Sequence, residues 1–241
     1  MKAKQPSSVP PEQFEAVACA AAHQAGGILR RRFRERTPLL VEEKGLHDFV
    51  TEVDREAEAA VLGYIAAHFP KHPVMSEESS PELPPSGHRW IVDPLDGTTN
   101  FIHGVPPFSV SIAVEDERGL LAGAIHDPFH AETFHACRGG GAKLNGDPIR
   151  CSEPASSDQA LVATGFPFRE LSRLDRYLRA FEAFVHCTAG IRRAGSAAID
   201  LAYTACGRYD GFWEVGLSRW DIAAGALIVL EAGGRVSDPL G

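Results

Sequence analysis

The stretch Trp90-Ile91-Val92-Asp93-Pro94-Leu95-Asp96-Gly97-Thr98-Thr99-Asn100-Phe101 constrains this chain more than any other part of it. An apolar, strand-like run stops at Asp93 and delivers two carboxylates into a turn shaped by a proline and a glycine. Pro94 fixes one backbone angle and has no N–H to donate, and Gly97 lets backbone approach a ligand closely. Two carboxylates spaced across such a turn can face one centre, with the Leu95 carbonyl between them. Hard oxygen donors of that kind suit Mg²⁺, which binds through a few carboxylates together with substrate phosphate. Aspartate is also common in plain turns and helix caps, and for Asp93 or Asp96 taken singly that reading is the stronger. For the whole pattern it is the weaker one.

Other acids stand at the ends of predicted elements. Glu77-Glu78 follows the strand-like Pro73-Val74-Met75-Ser76, where an acidic pair would ordinarily be a solvated loop. Thr51-x-x-Asp54 and Ser218-x-x-Asp221 have the form of capping boxes at helix starts. A carboxylate at a helix N-terminus can cap and bind a metal at once, so the two readings do not compete. His126, His130 and His135 lack the tight spacing of a zinc site and read as structural or surface residues. Cys137 and Cys187 read as small buried side chains.

Apolar periodicity predicts helices over 14–33, 53–69, 170–186, 196–206 and 220–232, and strands over 39–42, 73–76, 90–92, 108–115, 119–126, 132–137, 161–164 and 210–214. The run of strands followed by strand–helix alternation predicts an α+β part over 12–155 and an α/β part over 156–241, after a polar, proline-bearing arm at 1–11. The chain is acidic, with a formal net charge of −8, which argues against direct nucleic-acid binding or attachment to an anionic membrane. Five cysteines with no CxxC pair argue against a disulfide framework. With no signal-peptide pattern and no apolar run of membrane-spanning length, the expectation is a cytoplasmic protein.

The strings W-I-V-D-P-L-D-G-T-T-N-F at 90–101 and W-D-I-A-A-G-A-L-I-V-L-E-A-G-G at 220–234 resemble the two signatures of the inositol monophosphatase family. D-F-V-T-E-V-D at 48–54 and S-E-E-S at 76–79 are similar to its flanking elements, in order and spacing. The resemblance implies a layered α-β-α-β-α sandwich of the inositol monophosphatase / fructose-1,6-bisphosphatase type, acting as a Mg²⁺-dependent, Li⁺-inhibited phosphatase on a small phosphorylated polyol or sugar.

It also implies roles for individual residues. Glu77, Asp93 and the Leu95 carbonyl would hold one Mg²⁺. Asp93, Asp96 and Asp221 would share a second, and a third, weaker ion would lie near the glutamate. Thr98 would orient the attacking water, supported by Asp54 and Thr51, with Lys44 close to the metal and phosphate region. Gly97, Thr98 and Thr99 would open a short helix toward the phosphate. Glu214 would accept from polyol hydroxyls, with Gly195, Ser196 and Ala197 lining the same pocket and Asp221 at its edge. The Thr99-Asn100-Phe101 ending favours inositol 1-phosphate over nucleotide or histidinol substrates. Family members commonly form homodimers, and some relatives bind the transcription machinery, to which Arg192-Arg193 could contribute a surface. The resemblance further implies a last strand and helix past the position of Gly241.

Overall fold

The computed structural model describes residues 9–35, 39–45, 48–79, 84, 86–168 and 170–238. Most of the arm expected at 1–11 (residues 1–8) and the last three residues, 239–241, lie outside these. The elements are α1 (Pro11–Glu35), β1 (Val41–Gly45), β2 (Asp48–Thr51), α2 (Glu52–His68), β3 (Val74–Ser76), β4 (Arg89–Asp96), α3 (Thr98–Ile102), β5 (Ser109–Asp116), β6 (Gly119–Asp127), β7 (Glu132–Cys137), β8 (Ala142–Leu144), β9 (Asp147–Pro148), β10 (Leu161–Thr164), α4 (Leu174–Cys187), β11 (Gly190–Arg192), α5 (Ala197–Ala205), β12 (Gly211–Trp213) and α6 (Arg219–Glu231).

A seven-stranded sheet of order β3-β4-β5-β6-β7-β8-β9 forms the centre, antiparallel except where β3 runs parallel to β4. Strand side chains alternate between faces, and both faces are covered. Trp90, Val92, Val110, Ile112 and Val114 point to one core, closed by Phe14, Ala18 and Leu29 of α1 and Val61 and Ile65 of α2. Ile91, Ala113, Ile125 and Phe134 point to the other, closed by Ile199 of α5 and Ala224, Leu227 and Ile228 of α6. A parallel three-stranded sheet, β11-β10-β12, follows beyond α5. Tyr177 and Phe184 of α4 stack on Trp213 at 4.6 and 5.3 Å. The order of layers is therefore helix, sheet, helix, sheet, helix, the sandwich expected from the resemblance.

Two expectations are corrected. The strand through Trp90 does not stop at Asp93; β4 continues to Asp96, and its pairing with β5 breaks register between Asp93 and Asp96. A proline is tolerated at such a break because no ladder donor is needed there. Cys187 is exposed rather than buried, since it ends α4 on the outer layer, whereas Cys137 is buried as expected. The three histidines are held structurally: His126 by Thr133, His130 by Asp127 and His135 by Glu15.

One ion pair fixes the β5–β6 turn. Asp116 accepts from Arg138 Nη1 at 3.1 Å and Nη2 at 2.9 Å, and from the Arg118 N–H at 2.8 Å. The hydrogen bond from Arg138 is the main cause holding the Asp116 carboxyl down at about 2. A depressed carboxyl contributes stability above its unfolded value that is lost as pH falls through the folded one. Asp116→Asn is expected to lower the unfolding free energy by about 1 kcal/mol at pH 7, after allowance for solvent screening near the surface. In urea denaturation series the difference from the parent chain should shrink as pH approaches 2.

Candidate active site

The β1–β2 hairpin leads directly into α2, whose N-cap is Thr51. The Asp54 carboxylate turns back onto that cap. Its Oδ2 accepts from the Thr51 N–H at 2.8 Å and from the Thr51 hydroxyl at 2.5 Å, while its Oδ1 faces the Thr98 hydroxyl at 3.1 Å. Thr98 Oγ1 also lies 3.0 Å from the Leu95 carbonyl. Both neighbours of this hydroxyl are acceptors, so its single hydrogen is engaged and its lone pairs are left to receive a proton from water. Burial raises the Asp54 carboxyl, against the opposing hydrogen bonds from Thr51 and Thr98.

Asp93 and Asp96 project from the irregular end of β4, and Asp221 from the first turn of α6. Oxygens of these three carboxylates lie within 4.8 Å of one another. Asp221 Oδ2 accepts from the Ser218 N–H at 2.6 Å, so the capping geometry and the gathering of acids coexist. The Asp93 Oδ1 accepts from the Leu95 N–H at 3.0 Å, which turns the Leu95 peptide. Asp96 Oδ2 accepts from the Ser196 hydroxyl and from the Ala198 N–H (2.9 Å), tying β4 to the start of α5. Asn100 adds a second tie, its amide donating to the carbonyls of Pro107 and Ala194 at 2.8 Å each. Gly97 connects β4 to α3 at φ 91°, with the Pro107 and Gly195 carbonyls 3.1 and 3.3 Å from where a Cβ would stand, so only glycine fits there.

Glu77 stands beside this trio. Its Oε1 accepts from Lys44 at 3.3 Å, and Lys44 donates to Glu78 at 2.9 Å. Burial pushes the Glu77 carboxyl up to about 7, with Lys44 opposing and Asp221 and Glu78 adding to the rise. Asp93, only 1% exposed, is pushed well above the carboxylate range, first by burial and then by Glu77, Asp96 and Asp221. Like charges crowded in a buried place are unfavourable unless something positive compensates them. The donor set is all oxygen, which fits a hard divalent cation.

These acids form the floor of a cleft of about 520 Å³. Gly97, Thr98, Thr99, Gly195, Ser196, Ala197 and Glu214 line it as well, which brings together all the residues assigned to substrate. Lys44, which is exposed, and the buried Thr51–Asp54 pair do not line the cleft but reach it through Glu77 and Thr98. Sequence reasoning missed Asp200 and the Gly165-Phe166-Pro167-Phe168 segment, and it placed Arg193 on a surface rather than in this cleft. Gly165 has a spatial reason for being glycine: a Cβ there would fall 2.0 Å from the Glu214 carboxyl. Gly165→Ala is expected to displace Glu214 and raise KM for a hydroxyl-bearing substrate about 10-fold, with the melting temperature nearly unchanged, as steady-state kinetics and a thermal melt would show.

Comparison with known proteins bears on the fold and the family. The inositol monophosphatase family matches residues 11–241. The Nus factor SuhB of Pseudomonas aeruginosa is 50% identical over 228 residues, covering 92% of this chain and 84% of the relative. Among solved structures, the extragenic suppressor protein suhB from Bartonella henselae superposes with a TM-score of 0.87 at 43% identity, covering 92% of this chain and 85% of the other. The inositol monophosphatase from Anabaena gives 0.83 at 39% identity, covering 93% and 83%. With the family matched across the described fold and these relatives aligned over most of both chains, this chain belongs to the inositol monophosphatase family.

Proposed function

We propose that this chain hydrolyses a small polyol phosphate, with inositol 1-phosphate the preferred substrate, in a Mg²⁺-dependent reaction. The observation that carries this reading is the convergence of Asp93, Asp96 and Asp221 within 4.8 Å on the floor of a cleft that also holds Thr98 and Glu214. Asp93, Asp96, Asp221, Glu77 and the Leu95 carbonyl would hold two or three divalent cations, and Li⁺ is expected to compete for one of these positions. Bound there, such ions supply charge neutralisation for the phosphoryl oxygens and acidity for the attacking water.

The chain's own residues do the rest. Thr98 takes a proton from the water as it passes its own hydroxyl hydrogen to the Asp54 carboxylate, and Thr51 fixes Asp54 in that orientation. Thr98 and Thr99, at the start of α3, line the cleft where the phosphate would sit. Lys44 bridges Glu77 and Glu78 and offsets their charge. Gly195, Ser196 and Ala197 form the wall along the leaving group, and Glu214 accepts from its hydroxyls. A division of the chain near residue 155 would put the β4 ligands and the relay in one part and the leaving-group wall in the other.

Phosphate release from inositol 1-phosphate, fructose 1,6-bisphosphate, NADP, 3′-phosphoadenosine 5′-phosphate and histidinol phosphate tests the proposal. The expected result is the highest kcat/KM on inositol 1-phosphate, abolished by chelation and restored by Mg²⁺. No release from any of the five would defeat it.

A second role, in binding transcription machinery, is favoured by the relatives named Nus factor SuhB. Arg192 is exposed and would contribute to such a surface, whereas Arg193 lies along the cleft. Capture of transcription proteins by the inactive Asp93→Asn chain would separate that role from catalysis. A homodimer is proposed too, because Leu178 and Val185, seven residues apart on α4, and Leu171 just before it are exposed on the outer layer, where a second copy would cover them. Among the described residues no helix is long and apolar enough to cross a membrane.

A further inference from the structure

Neither the carboxylate trio nor the Thr98–Asp54 relay accounts for Asp200. It lies in the first half of α5, past the N-cap Ser196, and is 1% exposed. Its Oδ1 is buried without a hydrogen-bond partner among the described residues. Leaving such an atom unpaired is costly, and the charges of Asp96 and Glu214 both act on it unfavourably. The core does not require it, since its neighbours Ile199 and Leu201 supply the apolar contacts of α5.

What distinguishes Asp200 from a core residue is its place on the cleft wall, which it shares with Glu214. Gly165 leaves the space that the Glu214 carboxyl fills. Arg193, at the same wall, lies over the rings of Phe166 and Phe168 at 5.8 and 5.4 Å and partly offsets the charges acting on Asp200. A buried oxygen with no internal partner, beside an open cleft, is satisfied by a group that the ligand brings. Two carboxyl groups on one wall call for hydroxyl donors and disfavour a second phosphate.

We infer that Asp200 is a specificity-determining residue that, together with Glu214, reads hydroxyl groups of the leaving group, so that the cleft selects a neutral polyol over a bare ring or a bisphosphate. The inference rests on the polyol-phosphate reading of the cleft. A site built to pair a substrate hydroxyl discriminates strongly against the analogue that lacks it, because its own polar groups are then stranded.

The test compares inositol 1-phosphate with cyclohexyl phosphate, the same ring without hydroxyls, using the full chain with Mg²⁺. In Asp200→Ala the ratio of kcat/KM values for the two substrates should fall at least about 10-fold, through KM of inositol 1-phosphate. Cyclohexyl phosphate should change less than about 3-fold, and Asp200→Asn should restore most of the preference. The melting temperature of Asp200→Ala should not fall, because an unpaired buried acid is being removed; a lower one with an unchanged ratio would mark a structural residue and overturn the inference. Equal losses on both substrates, or no change on either, would overturn it as well. If the parent chain shows no preference for inositol 1-phosphate over cyclohexyl phosphate, the polyol reading itself fails. If that preference exists and survives in Asp200→Ala, only the role of Asp200 fails.

Discussion

Asp93→Asn should reduce turnover by on the order of 10³-fold or more while leaving the chain folded and, without divalent cations, at least as stable as the parent. The two halves of this expectation come from the same geometry. Asp93 is buried beside Glu77, Asp96 and Asp221, and its carboxyl is raised well above the usual range. A raised carboxyl contributes its stability below the unfolded value and loses it as pH rises through the folded value. At neutral pH the metal-free fold therefore bears the cost of either ionising this group or keeping it protonated, and a neutral amide of the same shape removes it. The asparagine oxygen can still accept from the Leu95 N–H, so the local turn survives. Removing the same charge weakens the pull on a divalent cation. Mg²⁺ should accordingly raise the melting temperature of the parent chain, as ligand binding to the native state must, and should raise that of Asp93→Asn much less. Phosphate release measured beside thermal melts, with and without Mg²⁺, checks both halves. Near-parental turnover in a folded Asp93→Asn chain would remove Asp93 from the site.

The second large effect is expected at the relay. Thr98→Ala deletes the hydroxyl that lies between Asp54 and the Leu95 carbonyl, and should lower kcat by about 10²- to 10⁴-fold, the usual worth of positioned proton transfer. KM should change little, since the carboxylate floor and the Glu214 wall remain. Thr98→Ser keeps the hydroxyl and should recover most of the rate. Asp54→Asn should resemble Thr98→Ala in rate, because an amide cannot take the proton. The stabilisation by Mg²⁺ should persist in all three variants, which separates the relay from the cation ligands. If Thr98→Ala lowered kcat and abolished the Mg²⁺-induced shift together, Thr98 would belong to the floor and not to the relay.

Much of this arrangement was legible because it lies in contiguous patterns. The amphipathic periods of α1 and α2, the alternation of β5 to β7 and the carboxylates closing strand-like runs are local signals. The path of β4 was not. Pro94 and Gly97 read as the end of a strand, whereas the ladder continues to Asp96, because β3 pairs with β4 only as far as Ser76 and the β5 register breaks just where the proline sits. No donor is missed at that point, so the usual objection to proline lapses. Asp200 left no mark in the sequence, since a single acid within a helical run looks like a solvated position. Its burial depends on the layer of strands packed over α5, a long-range fact. The same holds for Gly165, whose missing side chain matters only because Glu214 arrives from the end of another strand. Cys187 was misjudged for the converse reason: a residue near the end of an amphipathic helix gives no local hint of which side faces out.

The attachment of α5 to the end of β4, through the Ser196 hydroxyl and the Ala198 N–H on Asp96, has a consequence for how activity arises. A ribosome that has released everything up to the β9 strand has made the central sheet but only two of the three clustered acids. On the proposed assignment, competence is expected only when Asp221 has emerged and α5 and α6 have settled onto the sheet. Cutting the connection between β9 and β10 and separating the products in denaturant should leave two inert pieces. Activity regained on mixing them would report the docking of one piece on the other, and nothing else in the molecule.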